Sequence, residues 1–274
     1  HQHKTGTPTM GGAIIILTLI IIVLLLVPYN KYVLWSLIIT IGFGLIGLVD
    51  DLIKCLKKRS LGLLTLQKLF LQIGFALIVV YFIQQNNDLG TQIYVPFLKN
   101  SIDLGIMFVP FVVLVMISSV NAVNLTDGLD GLAAGLIIIA MLSFALIAYV
   151  QNIGPMVLFS LTVAFTSLGF LVYNFFPAQI FLGDVGSLAL GGALASVAIF
   201  TRTELFLLII GGVFAIETLS VIVQVISVKF RGKTIFKMSP IHHHFELCNW
   251  KEPKIIIRFW IAGIILAIIG IASI

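Results

Sequence analysis

From Gly131 to Val150 the chain reads GLAAGLIIIAMLSFALIAYV without one charged side chain, and runs of this kind recur along its whole length. A helix rises about 1.5 Å per residue, so a bilayer core of roughly 30 Å needs about 20 apolar residues per crossing. The runs are apolar on every face and lack the alternation in segments of about 10 residues that a membrane barrel shows. The predicted fold class is therefore all-α, a polytopic membrane helix bundle forming a single domain over residues 1–274. Composition agrees: 60% hydrophobic residues, 10% charged and a mean hydropathy of +1.17 lie outside the range of soluble globular domains.

Polar and Gly/Pro punctuation divides the chain into nine predicted spans: 11–29, 32–49, 66–83, 103–121, 131–150, 155–173, 186–201, 204–228 and 254–273. The seventh is the weakest, being short and rich in Gly and Ala. Nine crossings place Lys4, Lys54, Lys57, Lys58, Arg59, Lys68, Lys229, Arg231, Lys233, Lys237, Lys251, Lys254 and Arg258 on one face, and Lys31, Lys99 and Arg202 on the other. That asymmetry satisfies the positive-inside rule and makes the first face cytoplasmic. It also accounts for the formal charge of +5 with no need of a nucleic-acid partner. The outer connectors are tight turns except residues 84–102, where TQIYVPFL predicts a short hairpin with Pro96 at an edge or break. Cys55 and Cys248 are too few for a disulfide framework and read as free thiols.

Five polar stretches gather on the cytoplasmic face. In HQHKTGTPTMGG, Lys4 offers a cation and Thr9 a hydroxyl near a helix start, an arrangement able to hold an anion; a simple helix-entry cap is the competing reading. In GLVDDLIK, Asp50 and Asp51 close a span and Lys54 follows at helical spacing. Carboxylates beside a membrane must be hydrated, paired or metal-bound, although a solvated helix end also explains the pattern. NAVNLTDGLDGLAAG carries Asn121, Asn124, Asp127 and Asp130 at intervals of three, a line of oxygen groups suited to Mg²⁺ or a set of caps for the next helix. NFFPAQIFLGDVG brings Asn174, Phe181 and Gly183 to Asp184, which lies between glycines where a ligand or metal can approach closely. In SPIHHHFEL, His242, His243 and His244 are consecutive, so their side chains diverge and do not ligate one ion together; they read as phosphate donors or loop shapers. Within the eighth span, Glu217, Ser220 and Gln224 share a helix face, either as a polar groove or as structural partners.

As an ordered set, HKTGTPTMGG, VDDLIK, NAVNLTDGLDGLAAG, NFFPAQIFLGDVGSLALGG, PIHHHFEL and KEPKIIIRFW resemble the polyprenyl-phosphate N-acetylhexosamine-1-phosphate transferases over essentially the whole chain. GTPTMGG and PIHHHFEL are similar to the branch acting on UDP-N-acetylmuramoyl-pentapeptide. The resemblance implies ten transmembrane helices, the first missing here, with the active site on the cytoplasmic face of a bacterial inner membrane. It implies transfer of phospho-N-acetylmuramoyl-pentapeptide from UDP to undecaprenyl phosphate, a membrane lipid, with UMP released and Mg²⁺ as cofactor. By the same resemblance Asp184 ligates the metal, Asp50 and Asp51 serve the lipid phosphate and proton handling, and Lys54 and Lys68 pair with anionic groups. Lys4, Thr9, Asn124, Asp127, Asp130, Asn174, Gly183 and Gln224 shape the nucleotide-sugar site, Phe181 stacks on uracil, and His242, His243 and His244 contact phosphate. A homodimer is the expected assembly. Two rivals remain at this point: a sibling transferase using UDP-N-acetylglucosamine, and a secondary transporter, whose site would lie near the midplane between broken helices.

Overall fold

A computed structural model describes residues 7–57, 62–85, 90–98 and 100–274. Lys4, expected at the site, and Lys58, Arg59 and Lys99, used in the topology, lie outside the described residues. The helices are α1 (Gly12–Leu26), α2 (Lys31–Leu56), α3 (Thr65–Gln85), α4 (Phe108–Thr126), α5 (Leu132–Val150), α6 (Gly154–Asn174), α7 (Gly183–Phe200), α8 (Leu207–Ile210), α9 (Gly212–Arg231), α10 (Ile241–Glu246) and α11 (Glu252–Ala272). Eight described helices are long and apolar enough to cross a membrane. The ninth expected span is α1, whose 15 residues give about 22 Å, because Pro28 follows one end and the other is tied into the site. That tie is made by Gly11 N and Gly12 N, which donate to the carbonyls of Phe181 and Leu182.

The helix expected to be weakest is the centre of the molecule. Every residue of α7 from Val185 to Phe200 is buried, and α2 and α4 form its most extensive contacts. In a membrane, small residues let helix backbones approach closely, so the Gly, Ala and Ser that lower its hydropathy are what bury it. Outward-facing Leu24, Leu25, Val172 and Ile268 are exposed and leave an apolar surface for lipid.

Two further differences position the site. First, α2 runs to Leu56 instead of stopping near residue 49; its 26 residues span about 39 Å, so its last two turns carry Asp50 and Asp51 to the edge of a bilayer core of roughly 30 Å and Lys54 past it. Second, the predicted span 204–228 is broken at its outset: a 3₁₀ turn (Glu204–Phe206) and α8 end at Gly211 before α9 begins. At the end opposite the site, β1 (Gln92–Val95) pairs antiparallel with β2 (Asn100–Asp103), Gln92 opposite Asp103. The expected hairpin is there, but Pro96 opens its turn and the partner strand starts at Asn100, beyond TQIYVPFL.

Candidate active site

Asp50 and Asp51 on α2 and Asp184 on the first turn of α7 each offer an oxygen within 4.8 Å of the others. This approach depends on Gly47, where any Cβ would run into the backbone carbonyl of Asp184. Gly183 matters for a second reason. Its φ of +73° suits glycine, and a Cβ there would lie 2.7 Å from Asp51 Oδ2 and 3.1 Å from Thr9 Oγ1.

Two ammonium groups join the three carboxylates. Lys54 Nζ lies 2.7 Å from Asp50 Oδ2, 3.2 Å from Asp51 Oδ1 and 2.8 Å from Asp184 Oδ2. Lys68, on the first turn of α3, reaches the same Asp184 oxygen at 2.8 Å and Asp50 Oδ2 at 3.9 Å. The remaining oxygens are also held: Leu63 N donates to Asp50 Oδ1, Val185 N to Asp51 Oδ2 and Asn124 Nδ2 to Asp184 Oδ1. With all groups ionised, three carboxylates against two lysines would leave one negative charge, and the carboxylates offer an all-oxygen donor set, the chemistry that Mg²⁺ prefers. Asp184 is the most open of the three, its side chain 16% exposed against 4% and 5% for Asp50 and Asp51.

The NAVNLTDGLDG stretch is not one continuous ligand row. Helix α4 continues through Thr126, so Asn121 and Asn124 are helical, and the chain turns only from Asp127 to Gly131, where φ is +80°. Asn121 Nδ2 donates to Gln72 Oε1 in the bundle, whereas Asn124 bridges Asp184 and Ser187. Asp130 is buried and accepts from Ala178 N, while its own N–H donates to Glu252 Oε1. It thereby ties this loop to the α6–α7 connector and to the start of α11. Asn174 donates to the carbonyl of Ile180, and Phe181 N to that of Pro8, which folds the connector against Thr9 and the start of α1.

The three histidines part company, as their adjacency requires. His242 is buried, its Nδ1 3.1 Å from Glu217 Oε2. His243 Nδ1 lies 2.6 Å from Glu246 Oε2, and His244 Nδ1 accepts from Lys237 N. Gln224 uses its whole amide on backbone, accepting from Ile235 N and Phe236 N and donating to Phe236 O. It holds the segment before the histidines in place, which makes it a clamp on that wall. Residues that sequence reasoning passed over are Gln72, Ser187 and Glu252. An amide inside the apolar α3 and a serine one turn after Asp184 were visible signals, but Glu252 is 122 residues from Asp130 and had none.

A membrane-spanning helix bundle that gathers acids and ammonium groups at one end defines an integral membrane enzyme suited to phosphate chemistry, and residues 33–202 match the sequence model of glycosyl transferase family 4. Over 275 residues the chain is 49% identical to the phospho-N-acetylmuramoyl-pentapeptide-transferase of Halalkalibacterium halodurans, covering 99% of this chain and 84% of that protein. It is 50% identical to the Oceanobacillus iheyensis protein of the same name and 48% to that of Bacillus subtilis, covering 99% of this chain and 85% of each relative. The chain belongs to glycosyl transferase family 4 and, within it, to the phospho-N-acetylmuramoyl-pentapeptide-transferases.

Proposed function

We propose that this chain transfers phospho-N-acetylmuramoyl-pentapeptide from its UDP carrier to undecaprenyl phosphate, giving lipid I and UMP, with Mg²⁺ at Asp184. The observation that carries the reading is the cluster of Asp50, Asp51 and Asp184 bridged by Lys54 and Lys68 at one end of the bundle. Two anionic phosphates must meet there, and preorganised cations offset their repulsion and the charge that develops in transfer. The excess of Lys and Arg on this end supports a site facing the cytoplasm in a bacterial inner membrane, since thirteen such residues are assigned there against three opposite. The homodimer expected from the resemblance belongs to the same proposal.

Bound Mg²⁺ would neutralise phosphate charge and polarise the reacting phosphoryl group. Asp184, with Asp51 beside it, would hold it; Asp51 itself is fixed by the Val185 N–H at the start of α7. Asp50 positions the lipid phosphate and takes any proton it carries. A lipid phosphate oxygen attacks the β-phosphorus of the UDP-sugar, forming a P–O bond as the bond from that phosphorus to the bridging oxygen breaks. The electron pair leaves with UMP. Lys54 and Lys68 hold the approaching phosphates, and Asn124 keeps Asp184 oriented through its second oxygen. Thr9, Asp127, Asn174 and Phe181 line the nucleotide-sugar side.

The test uses full-length enzyme with UDP-N-acetylmuramoyl-pentapeptide, undecaprenyl phosphate and Mg²⁺. Asp184→Asn lowers UMP release by roughly 100-fold or more, the scale seen when one preorganised charge-stabilising group is lost. Unchanged release overturns the metal assignment, and a burst of UMP without lipid acceptor overturns direct attack. Turnover of UDP-N-acetylglucosamine in preference to the muramoyl substrate overturns the substrate reading.

A further inference from the structure

Helix α9 carries a polar stripe, Glu217, Ser220, Gln224 and Ser227, all buried. Its outer members are accounted for: Gln224 clamps residues 235 and 236, and Ser227 Oγ donates to the carbonyl of Lys233. Glu217 is different. It is fully buried near mid-helix, Oε2 pairs with His242 Nδ1 at 3.1 Å, and Oε1 has no hydrogen-bond partner. In the pairing of a carboxylate with a neutral imidazole, Oε2 accepts from Nδ1–H and Nε2 is left as a lone pair.

That Nε2 is buried and unpartnered, and it faces Gly128 so closely that a Cβ on Gly128 would collide with it. Gly128 follows Asp127 in the α4–α5 loop. The imidazole of His242 is therefore wedged between a carboxylate of α9 and the backbone of the loop that carries Asp127 and Asp130. On its own short helix it is followed directly by His243 and His244, so the wedge fixes two walls of the site relative to each other.

We propose that Glu217 is a positioning residue for the transfer reaction. Acting through His242, it docks the histidine helix against the Asp127–Gly131 loop and so sets the nucleotide-sugar side of the site. It leaves the Asp50, Asp51 and Lys54 side, which meets the lipid phosphate, unaffected. This rests on the proposed function, because it assigns the loop and the histidines to the nucleotide sugar. The pair itself is defined by geometry alone.

Full-length enzyme is assayed for UMP release with each substrate varied in turn. Glu217→Leu raises the KM for UDP-N-acetylmuramoyl-pentapeptide about 10-fold, the lower end of losses for removing a group that orients an imidazole, with the KM for undecaprenyl phosphate within about 2-fold of the parent. Glu217→Gln retains an acceptor for Nδ1–H and restores the parent KM to within about 3-fold. Equal effects on both KM values, or losses that only follow the folded fraction, overturn the proposal. A second measurement does not depend on variant folding or turnover: ¹⁵N spectra of the parent, with His242 assigned by comparison with His242→Gln, show a neutral ring protonated at Nδ1. The Nε2–H tautomer overturns the wedge. Failure of the parent to turn over the muramoyl substrate would count against the proposed function while the spectrum still decides the pair.

Discussion

At the scale of single residues, the site depends on positions where a side chain is missing. Gly183 has a left-handed φ and sits against Asp51, so Gly183→Ala combines strain of about 1–2 kcal/mol with displacement of a carboxylate. The expected outcome is a modestly lower melting temperature and a much larger fall in UMP release; a variant with full activity would show that Asp51 tolerates movement. Residue types and spacing made Asp50, Asp51, Lys54 and Asp184 visible in the sequence, since charges at the edge of an apolar run need a reason to be there. What spacing could not reveal was who meets whom. Asn121 and Asn124 share one helix, yet one turns to Gln72 and the other to Asp184. Likewise nothing local separates His242 from its two neighbours, and only the packing of α9 and the Asp127–Gly131 loop buries it.

At the scale of elements, hydropathy located the membrane helices and ranked α7 as the weakest span, yet α7 is the most buried of them, because transfer energy to lipid is a poor measure of burial against protein. Its small residues have lower hydropathy and closer packing for one reason, the lack of side-chain bulk. Gly191 illustrates this: a Cβ there would lie 2.6 Å from Val120 Cα and 3.0 Å from Ser119 O, both on α4. Gly191→Leu is expected to cost about 1–3 kcal/mol by overpacking this interface. Gly74 on α3 has nothing within 4 Å of its would-be Cβ, so Gly74→Leu is expected to melt close to the parent. Thermal unfolding of both variants in the same detergent checks the contrast, and equal melting temperatures would refute α7 as the tightly packed centre. Helix length was legible only to the last apolar residue. The continuation of α2 through Asp50 and Asp51 and of α4 beyond Asn121 to Asn124 is invisible to hydropathy, although it brings Asp50, Asp51 and Asn124 to α7.

At the scale of the whole molecule, acidic groups other than Glu217 within α9 lie towards two ends with opposite environments. At the site, lysines and amides surround the carboxylates. At the far end Glu204, 2% exposed, lies in the 3₁₀ turn before α8, with both carboxyl oxygens lacking a hydrogen-bond partner from another side chain. It borders a largely apolar cavity of about 360 Å³ between α4 and α9, and burial pushes its carboxyl up to about 8, against the weaker opposing pull of its own backbone N–H and Arg202. The sign of the consequence follows from proton binding. Below the ordinary glutamate value of 4.5, folded and unfolded chains both hold the proton, and above about 8 both have released it. Between these limits only the folded protein holds it, so stability falls as pH rises, at most by about 1.4 kcal/mol per pH unit from this group. Glu204→Gln removes the titration while keeping the shape, and its amide adds an offset that does not vary with pH. Melting temperatures measured from pH 5 to 9 are therefore expected to decline more steeply in the parent than in Glu204→Gln between pH 5 and about 8, and to run parallel above. Parallel curves over the entire range would mean that Glu204 is ionised in the folded protein and that the far end of the bundle admits water to it.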